Sequence, residues 1–99
     1  MTIHQNREAD KMTVALEGRL DTMTAPELEK AMEKIPYEVL TLVLDMTQLE
    51  YVSSAGLRVL LKMQKIMSRR GKMVLVGVNE SIMEVFEITG FSDVLTIEN

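Results

Sequence analysis

Apolar and polar positions change period several times along this chain, and each change predicts an element. Met12, Val14 and Leu16 alternate with Thr13, Ala15 and Glu17, the period-two pattern of a half-buried strand. Thr2 to Asn6 also has β character. The polar turn Arg7–Lys11 between the two stretches predicts an opening hairpin. Gly18 is expected to break the second strand. Thr24 is a candidate helix cap, Pro26 suits a first turn, and Glu27 completes a capping-box pattern. Leu28, Ala31, Met32 and Ile35 then recur at helical spacing until Pro36 stops the helix. Val39 to Leu44 is almost continuously apolar, as expected of a central strand covered on both faces. It ends at Asp45, where open α/β sheets place their working loops.

A polar connection leads to Ser53-Ser54-Ala55-Gly56 and a helix from about Ser54 to Arg70, with Leu57, Leu60, Leu61, Met63, Ile66 and Met67 as its apolar stripe. Gly71 is its C-cap. Met73–Val76 reads as another buried strand. A third helix starts at Asn79 or Ser81 and ends at Gly90, and Val94 to Ile97 makes a short final strand. The order β-β-α-β-α-β-α-β predicts one α/β domain over residues 1–99. Its sheet is mixed, mostly parallel and of about five strands, with right-handed crossovers.

Composition narrows the functions open to such a domain. An apolar fraction of 46% provides for a folded core, and a net charge of −4 disfavours generic binding to nucleic acid or anionic membrane. The start of the chain has no signal-peptide pattern and no run is long enough to span a bilayer, so a cytoplasmic address is expected. Without cysteine there is no disulfide, thiolate metal site or cysteine nucleophile. His4 is the one histidine, a poor basis for a metal centre, and reads as a surface strand residue. Most of the nine methionines fall at core-like positions and read as gap-filling core. The carboxylates Glu27, Glu29 and Glu33 read as a solvated helix face, and no cofactor is expected.

Three features carry candidate chemistry. Ser53 and Ser54 stand where a helix begins, so either can be a simple cap, or the acceptor of a phosphate that the helix end stabilises. A nucleophilic serine at such an elbow belongs to Gly-x-Ser-x-Gly, but position 52 is Val52 and His4 is remote in sequence. Arg58, Lys62, Lys65 and Arg69 recur every three or four residues as a basic stripe. That stripe is either a solvated face or a docking face for an acidic protein.

Gly18-Arg19-Leu20-Asp21 before a helix, the apolar strand ending in Asp45, and Val52-Ser53-Ser54-Ala55-Gly56-Leu57 before the next helix resemble the STAS family. Val74–Val78 and Val85–Phe91 are similar to the family's usual ending. Bacterial anti-sigma factor antagonists and the tails of sulfate transporters share this domain. The resemblance implies a sheet with helices on one side; the incomplete nucleophile motif predicts no enzyme, and a small acidic domain of this sort is expected to be a monomer when free. A serine in the loop before the second helix would be phosphorylated by a partner, an anti-sigma factor with serine kinase activity. The unphosphorylated form would bind that partner, and a protein phosphatase would reset the cycle. The family motif, Asp-Ser-Ser-Gly or Asp-Ser-Thr-Gly, places the acceptor on Ser54, with Ser53 as rival. Asp21, Asp45 and Gly56 match positions around that loop. Arg58 can pair with the phosphate, and Lys62 extends the partner-binding face. Ser53 and Ala55 depart from the motif, which motivates the alternative: a STAS scaffold, never phosphorylated, in a larger sensory or transport assembly.

Overall fold

The computed structural model describes all residues, 1–99. Strand β1 (Thr2–Glu8) and strand β2 (Lys11–Leu20) form the antiparallel hairpin. Helix α1 (Ala25–Glu33) leads to strand β3 (Thr41–Val52), and helix α2 (Ser54–Arg70) leads to strand β4 (Lys72–Val76). Helix α3 (Glu80–Thr89) and a 3₁₀ turn (Phe91–Asp93) complete the chain. The sheet order is β1-β2-β3-β4, with both later pairings parallel. Each crossover steps the same way across the sheet. Crossovers of one hand that step one way put their helices on one face.

The burial pattern agrees. Met12, Val14 and Leu16 on β2, and Leu42, Leu44 and Met46 on β3, are buried and belong to one core cluster of 25 residues. Their alternates Thr13, Ala15, Thr41, Val43 and Asp45 are only half-buried. Val74 is buried outside that cluster, on the opposite face. The central strand is therefore covered by helices on one face only. Its apolar run reflects shielding by neighbouring strands on the other.

Three further expectations need correction. β3 does not end at Asp45 but runs on to Val52. Beyond Met46 its buried positions are Leu49 and Val52, three apart, because register shifts against β2 insert extra residues on β3. Those residues disguise the strand as a loop. Gly18 does not end β2 either. It sits at one of these shifts with φ +104°, a left-handed conformation that glycine tolerates, and the strand continues to Leu20. The final strand shrinks to one parallel bridge between Ile97 and Leu75, so the sheet has four full strands.

Arg70 fastens the loop between α1 and β3. Its guanidinium donates to the carbonyls of Pro36 and Val39, and lies 4.8 Å over the Tyr37 ring. Leu60, on the sheet-facing side of α2, is fully buried. Leu60→Ala is expected to cost about 2–5 kcal/mol by loss of transfer energy and an unfilled cavity. Urea unfolding checks this as a lower midpoint with an unchanged slope.

Candidate functional site

The serine pair divides the two roles that the sequence leaves open. Ser53 is the N-cap of α2, with extended backbone (φ −90°, ψ 175°), and its Oγ accepts the Gly56 N–H at 3.3 Å. Its own N–H donates to the Leu20 carbonyl at 2.8 Å, which ties the cap to the end of β2. Ser54 is the first residue of α2; it is exposed, and its hydroxyl makes no hydrogen bond within the chain. Gly56 permits this arrangement. A Cβ there would lie 2.6 Å from Leu20 Cγ and 3.0 Å from the Leu20 carbonyl oxygen. The first turn of α2 is pressed against β2, and only a residue without a side chain fits.

The electrostatics of that turn are also distinctive. α1 and α3 each carry a carboxylate in the first turn, Glu27 and Glu80, whereas α2 has none. The first turn of α2 therefore supplies no carboxylate of its own to compensate the positive end of its dipole beside Ser54.

Asp21 lies at the same end of the sheet, next to Leu20. Its Oδ1 accepts the N–H groups of Met23 at 3.0 Å and Thr24 at 3.1 Å. The N–H of Thr24, then the shell of other donors and Arg19 at 3.8 Å, hold its carboxyl below the usual carboxylate range against partial desolvation. Thr24 occupies the N-cap position of α1 but makes no side-chain cap bond. Its Oγ1 instead accepts from Asp21 N at 2.8 Å and donates to the Arg19 carbonyl at 2.7 Å. The expected capping box with Glu27 is therefore absent: the hydroxyl is already committed to the β2–α1 turn.

The other candidates divide between this end and elsewhere. Arg58 is exposed one turn beyond Ser54. Lys62, a turn further, pairs with Glu29 of α1 at 3.2 Å. Both line an open groove of ≈ 520 Å³ between α1 and α2, together with Thr22, Glu33 and Ala55. Only 3 of its 10 lining residues are apolar, unlike the mostly apolar pockets that hold small molecules. Asp45 is not brought to the serines. Ala15 and Leu20 pair with Asp45 and Val52, so the carboxylate sits five β2 positions back, roughly 17 Å at strand rise. Its Oδ1 accepts from Thr47 N at 3.0 Å and Thr47 Oγ1 at 2.6 Å, which braces the irregular part of β3. His4 is on the outer strand β1, paired with Glu17 at 3.5 Å. No group of three or more His, Asp or Glu side chains converges on a metal-sized site.

Sequence reasoning missed Arg19 and Tyr51, which stack at 4.3 Å beside the Asp21 turn, and Met23, which is 82% exposed at the tip of that turn. A large apolar residue inside the polar segment Asp21–Thr24 was the available signal.

The STAS domain family model matches residues 1–99. The chain belongs to the STAS family. The anti-sigma-B factor antagonist of Listeria monocytogenes is 32% identical over 97 residues, covering 96% of this chain and 85% of that protein. A crystal structure of an anti-sigma factor antagonist from Mycobacterium paratuberculosis superposes with a TM-score of 0.86 at 22% identity, covering 97% of this STAS domain and 83% of that chain. The Bacillus cell fate determinant SpoIIAA in its phosphorylated form superposes with a TM-score of 0.75 at 15% identity, covering 99% and 92%. At such identities these two structures establish the fold alone.

Two predictions follow from the site geometry. Ser53→Ala removes the cap of α2 and is expected to cost about 1 kcal/mol, whereas Ser54→Ala stays within about 0.5 kcal/mol of the unaltered STAS domain. Equilibrium unfolding of both variants side by side measures the contrast. The second concerns acid. Asp21 has a folded pKa below its unfolded one, so its stabilisation is present above the unfolded value and is lost as pH falls through the folded value. Below about pH 4 the stability of the unaltered domain should therefore fall more steeply than that of Asp21→Asn, as read from unfolding midpoints across the acid range.

Proposed function

We propose that this STAS domain is a cytoplasmic anti-sigma factor antagonist switched off by phosphorylation at Ser54. One observation carries the reading: Ser53 takes the structural work of the cap and leaves the Ser54 hydroxyl exposed and unbonded at a helix end without a carboxylate. The antagonist function itself is supported by the Listeria relative, which matches this chain over nearly its whole length.

The switch follows from elementary electrostatics. A phosphate adds nearly two negative charges and three acceptor oxygens. At Ser54 it lies over the positive end of α2, and Arg58 is within one turn, so the domain can accept it without rearranging. A partner closed over a neutral hydroxyl must instead bury that charge, and an uncompensated buried charge costs about 3–5 kcal/mol. The partner in this reading is an anti-sigma factor with serine kinase activity, and a protein phosphatase restores the hydroxyl. Its contact face comprises Asp21, Ser53, Ser54, Arg58 and Lys62; Gly56 is buried against Leu20 and positions the turn rather than touching a partner. Asp45 serves the bulge of β3 instead. No catalysis is assigned to this chain; His4 is engaged with Glu17 two strands away from β3.

The test is intact mass after incubation with ATP and cytosolic extract of the source organism. One added phosphate is expected on the unaltered domain and on Ser53→Ala, and none on Ser54→Ala. A phosphate that persists in Ser54→Ala would place the acceptor elsewhere. No phosphate on any form, in an extract active on a control substrate, would favour the constitutive scaffold. With the partner in hand, Ser54→Asp should weaken binding by about 100-fold, the equivalent of the lower end of that charge penalty.

A further inference from the structure

Helix α2 has an unusual charge distribution for its surroundings. The chain holds 15 Asp and Glu against 11 Lys and Arg, yet α2 has no carboxylate and carries Arg58, Lys62, Lys65, Arg69 and Arg70. Arg70 is consumed by the Pro36 and Val39 carbonyls. The other four are exposed. At 100° per residue they fall within an arc of about 60°, and they span about 16 Å of helix. Only Lys62 has a carboxylate partner, Glu29; Arg58, Lys65 and Arg69 have none. Ile66, 39% exposed, flanks the stripe as an apolar contact.

We propose that this stripe of α2 docks an acidic amphipathic helix of a protein partner. Charge complementarity selects the ligand class, and the neighbouring element selects its shape. α1 runs beside the stripe, with Glu29 and Glu33 on the shared groove. A broad polyanion, whether a membrane surface or a duplex, laid on α2 would meet those carboxylates. A single helix carrying its own carboxylates in one row aligns with the cations and competes with Glu29 only at Lys62, with Ile66 available to a side chain next to that row. Exposed pairs contribute little singly, but the three unpaired cations, Arg58, Lys65 and Arg69, add along one row and steer the encounter. The stripe shares Arg58 and Lys62 with the contact face proposed above, whereas Lys65 and Arg69 lie outside that face, so the docking surface is tested at those two residues.

The experiment titrates the STAS domain into a fluorescein-labelled helical peptide with glutamates at i, i+4, i+7 and i+11 and leucines beside them, read by anisotropy at low salt. A scrambled peptide of equal composition, phosphatidylserine vesicles and a DNA duplex are the comparisons. The expected result is saturable binding of the patterned peptide that weakens by about tenfold or more in Lys65→Glu/Arg69→Glu and on raising the salt to about 0.5 M. Lys65→Ala/Arg69→Ala should give an intermediate loss with an unchanged unfolding midpoint, which separates lost docking from lost folding. Binding is read on the unphosphorylated domain alone, so failure of the phosphorylation reading leaves this result standing. The proposal is overturned if the patterned peptide does not bind, if the charge-reversed variant binds it equally, or if the scrambled peptide, the vesicles or the duplex bind as tightly.

Discussion

The close approach of α2 to the end of β2 is the constraint on which the rest of the site depends. Gly56 leaves no room for a side chain against Leu20, and the Ser53 N–H closes on the Leu20 carbonyl at 2.8 Å. These contacts fix the start of the helix to the sheet. Leu20 is itself fully buried, so the anchor belongs to the core rather than to a surface loop. A helix end held in this way presents its first exposed residue, Ser54, at a defined height and angle. Turns that carry function from a rigid scaffold work on this basis. The neighbouring turn is rigid for a different reason: Asp21 and Thr24 satisfy each other's backbone donors, so the segment carrying Met23 is ordered by hydrogen bonds although it buries little.

On the proposed reading, two serines in sequence let the fold separate structure from chemistry. A hydroxyl that caps a helix accepts an amide proton, and esterifying it would disturb that bond. A hydroxyl one residue later has no structural duty. The α2 terminus then has dipole charge to spare, because no carboxylate occupies its first turn, in contrast to α1 and α3. The departure at position 53 from the family's aspartate is accommodated by the same logic. Serine and aspartate are both strong N-caps. On the proposed reading, in which Ser54 is the acceptor, serine also adds no negative charge beside it and leaves the helix end more receptive to a phosphate.

Most of the fold was legible because most elements carry a regular period. The bounds of α2 were readable from the stripe Leu57–Met67 and from Gly71, β2 from its alternation, and the inner strands β3 and β4 from their apolar runs. The extension of β3 was not. Its bulges replace period two by buried positions three apart, Met46, Leu49 and Val52, a spacing that reads as neither strand nor helix. The capping box of α1 was misread because Thr24 and Glu27 have the correct spacing. Only the structure shows that the threonine hydroxyl is already engaged by Asp21 and Arg19. The same bulges explain Asp45. With β3 taken to end there, the residue belongs beside the serines; with β3 continuing to Val52, it lies back in the sheet. The serine pair was legible in position but not in role, since a sequence shows two candidate caps and not which oxygen meets Gly56.

On the proposed reading, a small domain of this design is switched without being reshaped. The core of 25 buried residues lies on one face of the sheet, whereas Ser54 lies at its edge in solvent. Charge added there perturbs the folded state little, because it stays hydrated and faces the positive end of a helix. The same charge acts at full strength on a complex that desolvates it. A penalty of about 3–5 kcal/mol corresponds to about two to three and a half decades in affinity. The asymmetry is between a free surface at high dielectric and a closed interface at low dielectric, where the same charge interacts far more strongly. It needs no second conformation of the domain. On the proposed reading, a rigid scaffold is therefore an advantage, since any relaxation of the α2 terminus would let the phosphate move aside and soften the switch.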